Sequence, residues 1–378
     1  MFLKKIKNLL KRKFPLIANK LIFFRDNNRI IKYFVAKKLI NFNKKIHGKY
    51  IIHNVSNSSN EIFLSYSLRP KFSKDTFKNT TFSHNNKDTA IILQGPIASY
   101  EKFVIETIKI YSKIFPNTLI VLSTWRDEAS LDLIKFTKSL KNFHLILNEK
   151  PFTEHNINLQ ILSTFNALSY IKDKNIRYSL KTRTDCRIYN PYSIFFLKSL
   201  LSTYKIKNNE KIFHRILSSS IDTRIHRVYG LSDICLFSDT DNLINYFINK
   251  TYEDSLKEMK IDISNPIINE TAVINEIFLC SRFLINMDYE INWTLEDWWK
   301  KCKEIFCIFD ANSIDMFWYK YYWMYEQRFV KNYTSKFNQS LQFSDWLNIF
   351  NNNTEIYKKY PQEKWYLVNG LLEQKNQF

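Results

Sequence analysis

The sequence predicts an α/β fold built around a doubly wound, mostly parallel sheet. Short apolar runs alternate with stretches of helical period between about residues 88 and 190, which is the pattern of repeated βαβ units. Polar residues directly follow each apolar run, as expected where parallel strands end at one ligand-binding edge. Of the 378 residues, 45% are hydrophobic and 24% are charged. These ordinary proportions exclude collagen-like, coiled-coil and wholly disordered chains.

The pattern gives the predicted elements in order. We expect strand 89–93, helix 99–114, strand 118–123, a helix ending near 140, strand 143–147, helix 156–172 and strand 177–180. The first three strands are mainly apolar, as in sheets covered on both faces. Next we expect helix 191–203, strand 211–219, strand 228–237 interrupted at Gly230, and then mainly helices from 239 to 350. The sequence after residue 190 therefore predicts a mixed-sheet extension and a helical C-terminal part.

Most of the positive charge lies at the N-terminus. The chain has 56 Lys and Arg against 36 Asp and Glu, and residues 1–50 hold 15 of the basic residues and one acidic residue. Apolar residues at helical spacing separate the lysines, which is typical of an amphipathic helix on an anionic membrane surface. A basic arm packed on the domain is the alternative. Because the charge is concentrated outside the α/β body, a nucleic-acid partner is disfavoured.

Several common classes of site are missing from the sequence. It contains no P-loop, no G-x-G-x-x-G after a strand, no H-E-x-x-H and no G-x-S-x-G, which argues against P-loop NTPases, Rossmann dehydrogenases, zinc hydrolases and α/β-hydrolases. The five cysteines form no C-x-x-C pair, which favours a reducing compartment. No apolar stretch reaches the roughly 18 residues of a membrane span.

The residues that follow the four predicted strands suit a nucleotide or polyphosphate. Cations and amides bind phosphate, a carboxylate binds metal or ribose, and an aromatic ring stacks. The residues in question are Gln94, Gly95, Thr124, Trp125, Arg126, Asn148, Lys150, Lys181, Arg183 and Asp185. Gly95 is one of only four glycines in the chain. We therefore weigh a position that tolerates no Cβ against plain turn chemistry.

Ordered sequence blocks carry a resemblance to a known family. They are IILQGPI (91–97), LSTWRDE (122–128), LNEKP (147–151), NINLQ (156–160), LKTRTD (180–185) with YNP (189–191), YGLSD (229–233), EIFL (276–279) with FL (283–284), and WTLEDW (293–298). In this order, over residues 88–323, they resemble the WavE lipopolysaccharide-synthesis family. The order and number of the blocks make the likeness specific.

This resemblance implies a GT-A-like glycosyltransferase of bacterial surface-polysaccharide assembly. It would transfer a sugar from a nucleotide sugar to a lipopolysaccharide or capsule acceptor, lipid-linked or an oligosaccharide. It would be cytoplasmic and peripheral to the inner membrane, on an anionic surface. The alternatives are a nucleotidyltransferase of sugar activation and a non-catalytic scaffold of the assembly machinery.

The predicted organisation divides the chain into five regions. They are a membrane-associating segment (1–50), a connecting region (51–87), a nucleotide-sugar-binding half (88–190), an acceptor-side and catalytic half (191–330) and a helical C-terminal region (331–378).

The resemblance also implies roles for single residues. Asp185 corresponds to the second Asp of an Asp-x-Asp metal motif, and Arg183 stands at the first position. Asp185 is thus the candidate ligand for Mn²⁺ or Mg²⁺. The alternatives are a metal-independent site and a structural carboxylate that caps the turn or pairs with Arg183 or Arg187.

Donor-binding and base residues complete the predicted site. With Gln94, Gly95, Thr124, Trp125, Arg126, Lys181, Arg183 and Asp185, the predicted donor-binding set includes Asn158 and Gln160 from the block at 156–160. Asp233 and Glu276 compete for the role of catalytic base, with Glu270 a weaker choice. The aromatic residues at 293–325 are expected in the core more than on a sugar-stacking platform.

Overall fold

The computed structural model describes most of the chain after residue 67. The described residues are 68–76, 85–98, 100–153, 155–206, 212–258, 274–321, 340–355, 365–368 and 371–374. The described residues from Lys71 onward belong to one compact unit. The predicted amphipathic segment at 1–50 and the alternative base Glu270 lie outside the described residues.

A seven-stranded sheet forms the centre of the fold. The strands of the described residues are β1 (Thr89–Gln94), β2 (Leu119–Trp125), β3 (Phe143–Asn148), β4 (Tyr178–Arg183), β5 (Cys186–Ile188), β6 (Ile216–Ser219), β7 (Leu236–Asp239), β8 (Phe306–Phe309), β9 (Met316–Trp318), β10 (Trp365–Val368) and β11 (Leu371–Gln374). The central order is β3-β2-β1-β4-β7-β6-β8. Neighbouring strands are parallel except where β7 pairs antiparallel with β4 and β6. The predicted α/β fold with a mostly parallel sheet is confirmed.

Some helices pack directly on the sheet, and others pack on those helices. They are α1 (Glu101–Ile114), α2 (Leu131–Lys138), α3 (Asn156–Asp173), α4 (Ser193–Thr203), α5 (Thr240–Tyr246), α6 (Tyr252–Glu258), α7 (Asn275–Asn286), α8 (Leu295–Glu304) and α9 (Phe343–Phe350). The apolar side of α3 packs on β1 and β2, α5 packs against α3, and α7 packs against α5. None of the described helices is long and apolar enough to cross a bilayer.

The second half of the chain differs from the sequence prediction in several places. β9 lies in the region expected to be mainly helical, and β10 and β11 lie in the C-terminal region expected to be helical. β8 lies in the region expected to be helical, because its four apolar residues are too few for periodicity to separate strand from helix. The predicted strand 228–237 is a strand only from Leu236, and the residues before it form a buried loop. Val228, Tyr229 and Leu231 are apolar because this loop enters the core.

A small second sheet lies beside the end of β4. β5 pairs antiparallel with β9, and Cys186 pairs with Trp318. This pairing brings a tryptophan from the far end of the sequence next to the residues that follow β4. The remaining pair, β10 and β11, forms a separate antiparallel hairpin.

Candidate functional site

The sheet order defines one edge where a ligand is expected. β1 pairs with β2 on one side and with β4 on the other, so the direction of winding reverses between β1 and β4. In open α/β sheets, ligands bind at the carboxyl ends of the strands at such a switch point. The last residues of the two strands, Gln94 and Arg183, are paired in register. The two segments chosen from the sequence therefore lie side by side.

The loop between β6 and β7 adds to the same edge. β6 is parallel to β8 and antiparallel to β7, and β7 is antiparallel to β4. The carboxyl end of β6 and the start of β7 therefore lie at the carboxyl end of β4. Residues 220–235, which include Asp222, Arg227 and Asp233, connect these two ends.

Gly95 joins the loops that follow β1 and β4. Its φ is +125°, a conformation that L side chains rarely adopt, and an added Cβ would lie 3.2 Å from Thr184 Oγ1. The Thr184 amide donates to the Gln94 carbonyl at 3.0 Å, and the Thr184 hydroxyl donates to the Pro96 carbonyl at 2.7 Å. A glycine is therefore needed here for both conformation and space.

We expect Gly95→Ala to destabilise the protein by about 1–2 kcal/mol, because alanine must adopt a positive φ while its Cβ crowds Thr184. Urea unfolding measures the change. The double variant Gly95→Ala with Thr184→Ala should stay destabilised, because the backbone strain remains. An unchanged midpoint for Gly95→Ala would show that this loop adopts another conformation.

Arg183 and Asp185 form a bidentate ion pair at the end of β4. Arg183 Nε and Nη2 donate to Asp185 Oδ1 and Oδ2 at 2.9 and 3.1 Å. Trp318 Nε1 also donates to Asp185 Oδ2, at 3.0 Å. Burial alone would raise the pKa of Asp185, but the hydrogen bonds and charge of Arg183 hold it below its ordinary value. The carboxylate is therefore ionised and fully engaged.

This arrangement does not suit a metal ion held by Asp185. Oδ1 accepts from Arg183 and lies 3.7 Å from the Cys186 thiol, and Oδ2 accepts from Arg183 and Trp318. Within the described ranges, no group of three His, Cys, Asp or Glu side chains is placed to bind a metal. The residues around Asp185 therefore do not fit a metal site.

Lys181 lies inside the fold and not on the open edge. Its side chain is fully buried, its Nζ donates to the Asp233 carbonyl, and the Phe247 ring centroid is 5.5 Å away. Burial lowers the pKa of Lys181 to about 8. Lys181 precedes the strand end by two residues, and the loop before β7 covers it. Lys181 therefore fixes the backbone of the loop at Asp233.

The two predicted residues of α3 have different partners. Asn158 Oδ1 accepts from the Tyr252 amide at 2.7 Å, and its Nδ2 donates to Glu253 at 3.1 Å. It thereby fixes the start of α6. Gln160 Nε2 donates to Asp233 Oδ2, so Gln160 orients a candidate base.

The predicted residues after β1 and β2 are mostly buried. Gln94 Nε2 donates to Ser163 Oγ at 2.9 Å. Thr124 and Trp125 are buried, and the Thr124 hydroxyl has no hydrogen-bond partner among the described residues. Arg126 is exposed and pairs with Glu149. Of these four residues, Arg126 alone presents a charge to solvent.

Lys150, another residue of the predicted edge, is engaged in ion pairs. Its Nζ lies 2.9 Å from Asp127 and 2.7 Å from Glu128. Glu128 also accepts from the amides of Ile97 and Ala98, at 2.7 and 3.1 Å. These contacts tie the loop after β2 to the loop after β1.

Two carboxylates beside this edge, Asp233 and Glu276, interact electrostatically. Asp233 is buried, and Glu276 lies partly buried in the first turn of α7. Burial, together with the negative charges of Asp233 and Asp222, raises the pKa of Glu276 to about 7, whereas Arg227 opposes the shift. Glu276 can therefore gain or lose a proton near neutral pH, which suits a general base.

Sequence reasoning did not identify the partners that shape the site. Trp318 was expected in the core, but it also binds Asp185. Asp222 forms an ion pair with Arg224 at 2.6 Å and with Arg227 at 3.6 Å. The contact between Trp318 and Asp185 spans 133 positions, and no local pattern signals it.

A cavity of about 410 Å³ opens at the other end of the sheet, beside the start of β4 and the end of β7. Asp239 there binds His214 Nδ1 at 2.6 Å and Arg177 Nε at 3.4 Å. The exposed ring of Phe213 forms part of its wall. The cavity is separate from the switch point.

Comparison with known proteins gave structural similarity alone. No family model and no curated protein matches the sequence, so the WavE assignment stays a prediction. A cytidylyltransferase from Leptospira borgpetersenii is 11% identical, covers 72% of this chain and 98% of its own, and has a TM-score of 0.31. A glycosyltransferase involved in glycosylation of the major capsid of PBCV-1 is 12% identical, with coverage of 48% and 74% and a TM-score of 0.26. Mannose-1-phosphate geranyltransferase from Thermus thermophilus is 11% identical, with coverage of 52% and 67% and a TM-score of 0.24. Because all three TM-scores are below 0.5, these likenesses carry no argument for the function of this chain.

Proposed function

We propose that the protein is a glycosyltransferase that takes its sugar from a nucleotide donor bound at the switch point between β1 and β4. One observation carries the proposal. Arg183, an oriented arginine, ends β4, and Glu276, a carboxylate of near-neutral pKa, interacts electrostatically with Asp233 and Asp222 of the loop that leads into β7 beside that strand end. Transfer of a sugar with inversion at C1 needs positive charge to balance the departing phosphate and a base for the acceptor hydroxyl.

The proposed reaction assigns one task to each group. The bond between the sugar C1 and the phosphate oxygen breaks, and its electron pair stays with the phosphate. The acceptor oxygen forms the new bond to C1, and its proton passes to Glu276. Arg183 balances the charge on the phosphate. Asp233, oriented by Gln160, helps to keep the pKa of Glu276 high through its own negative charge.

The acceptor is proposed to be a surface glycan at the cytoplasmic face of the membrane. The support for this comes from the sequence, where the basic residues of segment 1–50 favour an anionic surface. The resemblance to the lipopolysaccharide-synthesis family points the same way. Vesicle sedimentation of the full chain against a chain lacking residues 1–45 tests this part, and equal sedimentation would contradict it.

Thermal unfolding with nucleotides tests the donor site directly. We expect one of UDP, GDP or CMP to raise the unfolding temperature, because a ligand at 100 times its Kd adds about 2.7 kcal/mol of stability. ATP serves as the comparison. An assay of the released product then distinguishes the two candidate reactions. Sugar transfer from the matching nucleotide sugar releases a nucleotide, whereas nucleotidyl transfer releases pyrophosphate. If none of the nucleotides raises the unfolding temperature, the proposal is contradicted.

A further inference from the structure

We propose that Arg183, and not a divalent cation, binds the leaving phosphate of the donor, with Asp185 and Trp318 serving to hold its guanidinium in place. The inference rests on the proposed function and specifies how that site handles charge. It assigns Asp185 a positioning role in place of the metal-binding role predicted from the sequence.

The guanidinium of Arg183 is fixed on one side. Nε and Nη2 donate to the two oxygens of Asp185 at 2.9 and 3.1 Å. Its central carbon lies 5.8 Å from the centre of the Trp318 ring, and the Trp318 indole donates to the same carboxylate. Three mutual contacts thus remove much of the freedom of a long side chain, so less entropy is lost when a ligand binds.

The other N–H groups of the guanidinium are not used by the part of the protein that the structure describes. Among the described residues, Nη1 makes no hydrogen bond, and the side chain of Arg183 keeps 28% of its surface exposed. A guanidinium has five N–H donors, and two of them are used by Asp185. The remaining N–H groups of Nη1 and Nη2 form the fork that binds phosphate through two parallel hydrogen bonds.

Arg183 lies where the phosphates of a nucleotide are expected to bind. Arg183 pairs in register with Gln94, directly before Gly95. The switch point is where the phosphates of a nucleotide are expected in this class of fold. Gly95 and Thr184 hold the loops that follow β1 and β4 together at this point.

The same contacts argue against a cation at Asp185. A magnesium ion needs oxygen ligands at about 2.0–2.1 Å and binds through one or two carboxylates and the substrate phosphates. Both oxygens of Asp185 already accept from a positively charged group about 3 Å away. A cation bound there would displace Arg183 and meet its repulsion. The guanidinium therefore supplies the positive charge that a metal supplies elsewhere.

Calorimetric titration with UDP, GDP and CMP tests the inference, in EDTA and again in excess Mg²⁺ or Mn²⁺. For the nucleotide that binds, we expect Kd values in EDTA and in metal that agree within about threefold. Arg183→Ala should weaken binding about 10–100-fold, since hydrogen bonds to a charged phosphate are lost. Binding of the corresponding nucleoside, which has no phosphate, should not change.

Two further variants complete the experiment. Arg183→Lys keeps the charge without the fork and should recover only part of the affinity. Arg177→Ala removes an arginine at the opposite end of β4, where its partner is Asp239, and should bind like the wild type. Circular dichroism of each variant checks the fold.

Two other results would overturn the inference while leaving the proposed function in place. One is binding that vanishes in EDTA and returns with Mn²⁺. The other is an Arg183→Ala variant that is folded and binds nucleotide as the wild type does. If no nucleotide binds in either condition, the proposed function itself is wrong.

Discussion

Replacing Glu276 with glutamine is expected to lower kcat about 10²–10⁴-fold, because the variant has no group to take the proton of the acceptor hydroxyl. Glutamine has nearly the same shape, so the packing of α7 is kept. KM for the donor should change little, since Arg183 and not Glu276 contacts its phosphate in the proposed site. Steady-state kinetics of the purified variant measures both constants.

The pH dependence gives a second readout of the same residue. Burial and the charge of Asp233 raise the pKa of Glu276 to about 7. A base acts only after it has lost its proton, so the rate of the wild type should increase as pH rises through about 7 and then level off. Glu276→Gln should lose this limb, and its residual rate should be flat over that range.

The free energy of unfolding should fall as pH rises, whereas the reaction rate should increase. In the folded protein Glu276 binds its proton more tightly than its ordinary pKa of 4.5 allows in the unfolded chain. The wild type therefore loses stability as pH rises from about 4.5 through 7. Glu276→Gln avoids this loss and should be more stable than the wild type at pH 8, by about 1–3 kcal/mol. The two proteins should be alike at pH 4.

Asp233→Asn is the matched control for this assignment. The asparagine oxygen still accepts from Gln160, and Lys181 binds the backbone carbonyl of residue 233, so both contacts remain. Loss of the negative charge should lower the pKa of Glu276 and move the pH–rate limb below 7, while most of the activity stays. If Asp233→Asn instead loses more than 100-fold in rate and Glu276→Gln does not, Asp233 is the base.

The central fold was predictable because the first half of the chain repeats one local signal. Each of the first three strands contains a mainly apolar run followed by polar residues, and a helix of 3.6 period separates each of these strands from the next. β8 has only four apolar residues, too few for periodicity to separate a strand from a helix. Its place in the sheet depends on pairing with β6, which is distant in sequence. Long-range pairing of short strands cannot be deduced from local periodicity.

The candidate site was predictable in position but not in detail. Strand ends place Gly95, Arg183 and Asp185 at one edge, and topology confirms that these segments adjoin. Which of the predicted side chains reach that edge depends on what covers them. Lys181 is buried by the loop before β7, and Asn158 binds the start of α6. Both outcomes arise from tertiary contacts that the sequence does not encode locally.

Replacing Asp185 with alanine should destabilise the protein by about 3 kcal/mol. The substitution leaves the mostly buried Arg183 without its counter-charge and the Trp318 indole without its acceptor. Breaking such a pair from one side costs about 3–5 kcal/mol, and the partial exposure of Arg183 places the effect at the lower end. Urea unfolding at pH 7 measures it.

Asp185→Asn separates charge from shape at the same position. Its amide oxygen can still accept one hydrogen bond, so the loss should be smaller than that of alanine. Because Arg183 keeps the pKa of Asp185 below its ordinary value of 3.8, the carboxylate stabilises the fold above that pH and less as pH falls below it. The difference between Asp185→Asn and the wild type should therefore shrink in acid.

Nucleotide binding decides which task Asp185 performs. A positioning residue acts through Arg183, so Asp185→Asn should weaken binding of the nucleotide equally in EDTA and in Mn²⁺. A metal ligand would lose affinity only where the metal is present. Since the same carboxylate would serve in both cases, its effect on stability cannot distinguish them, and the metal dependence of the variant can.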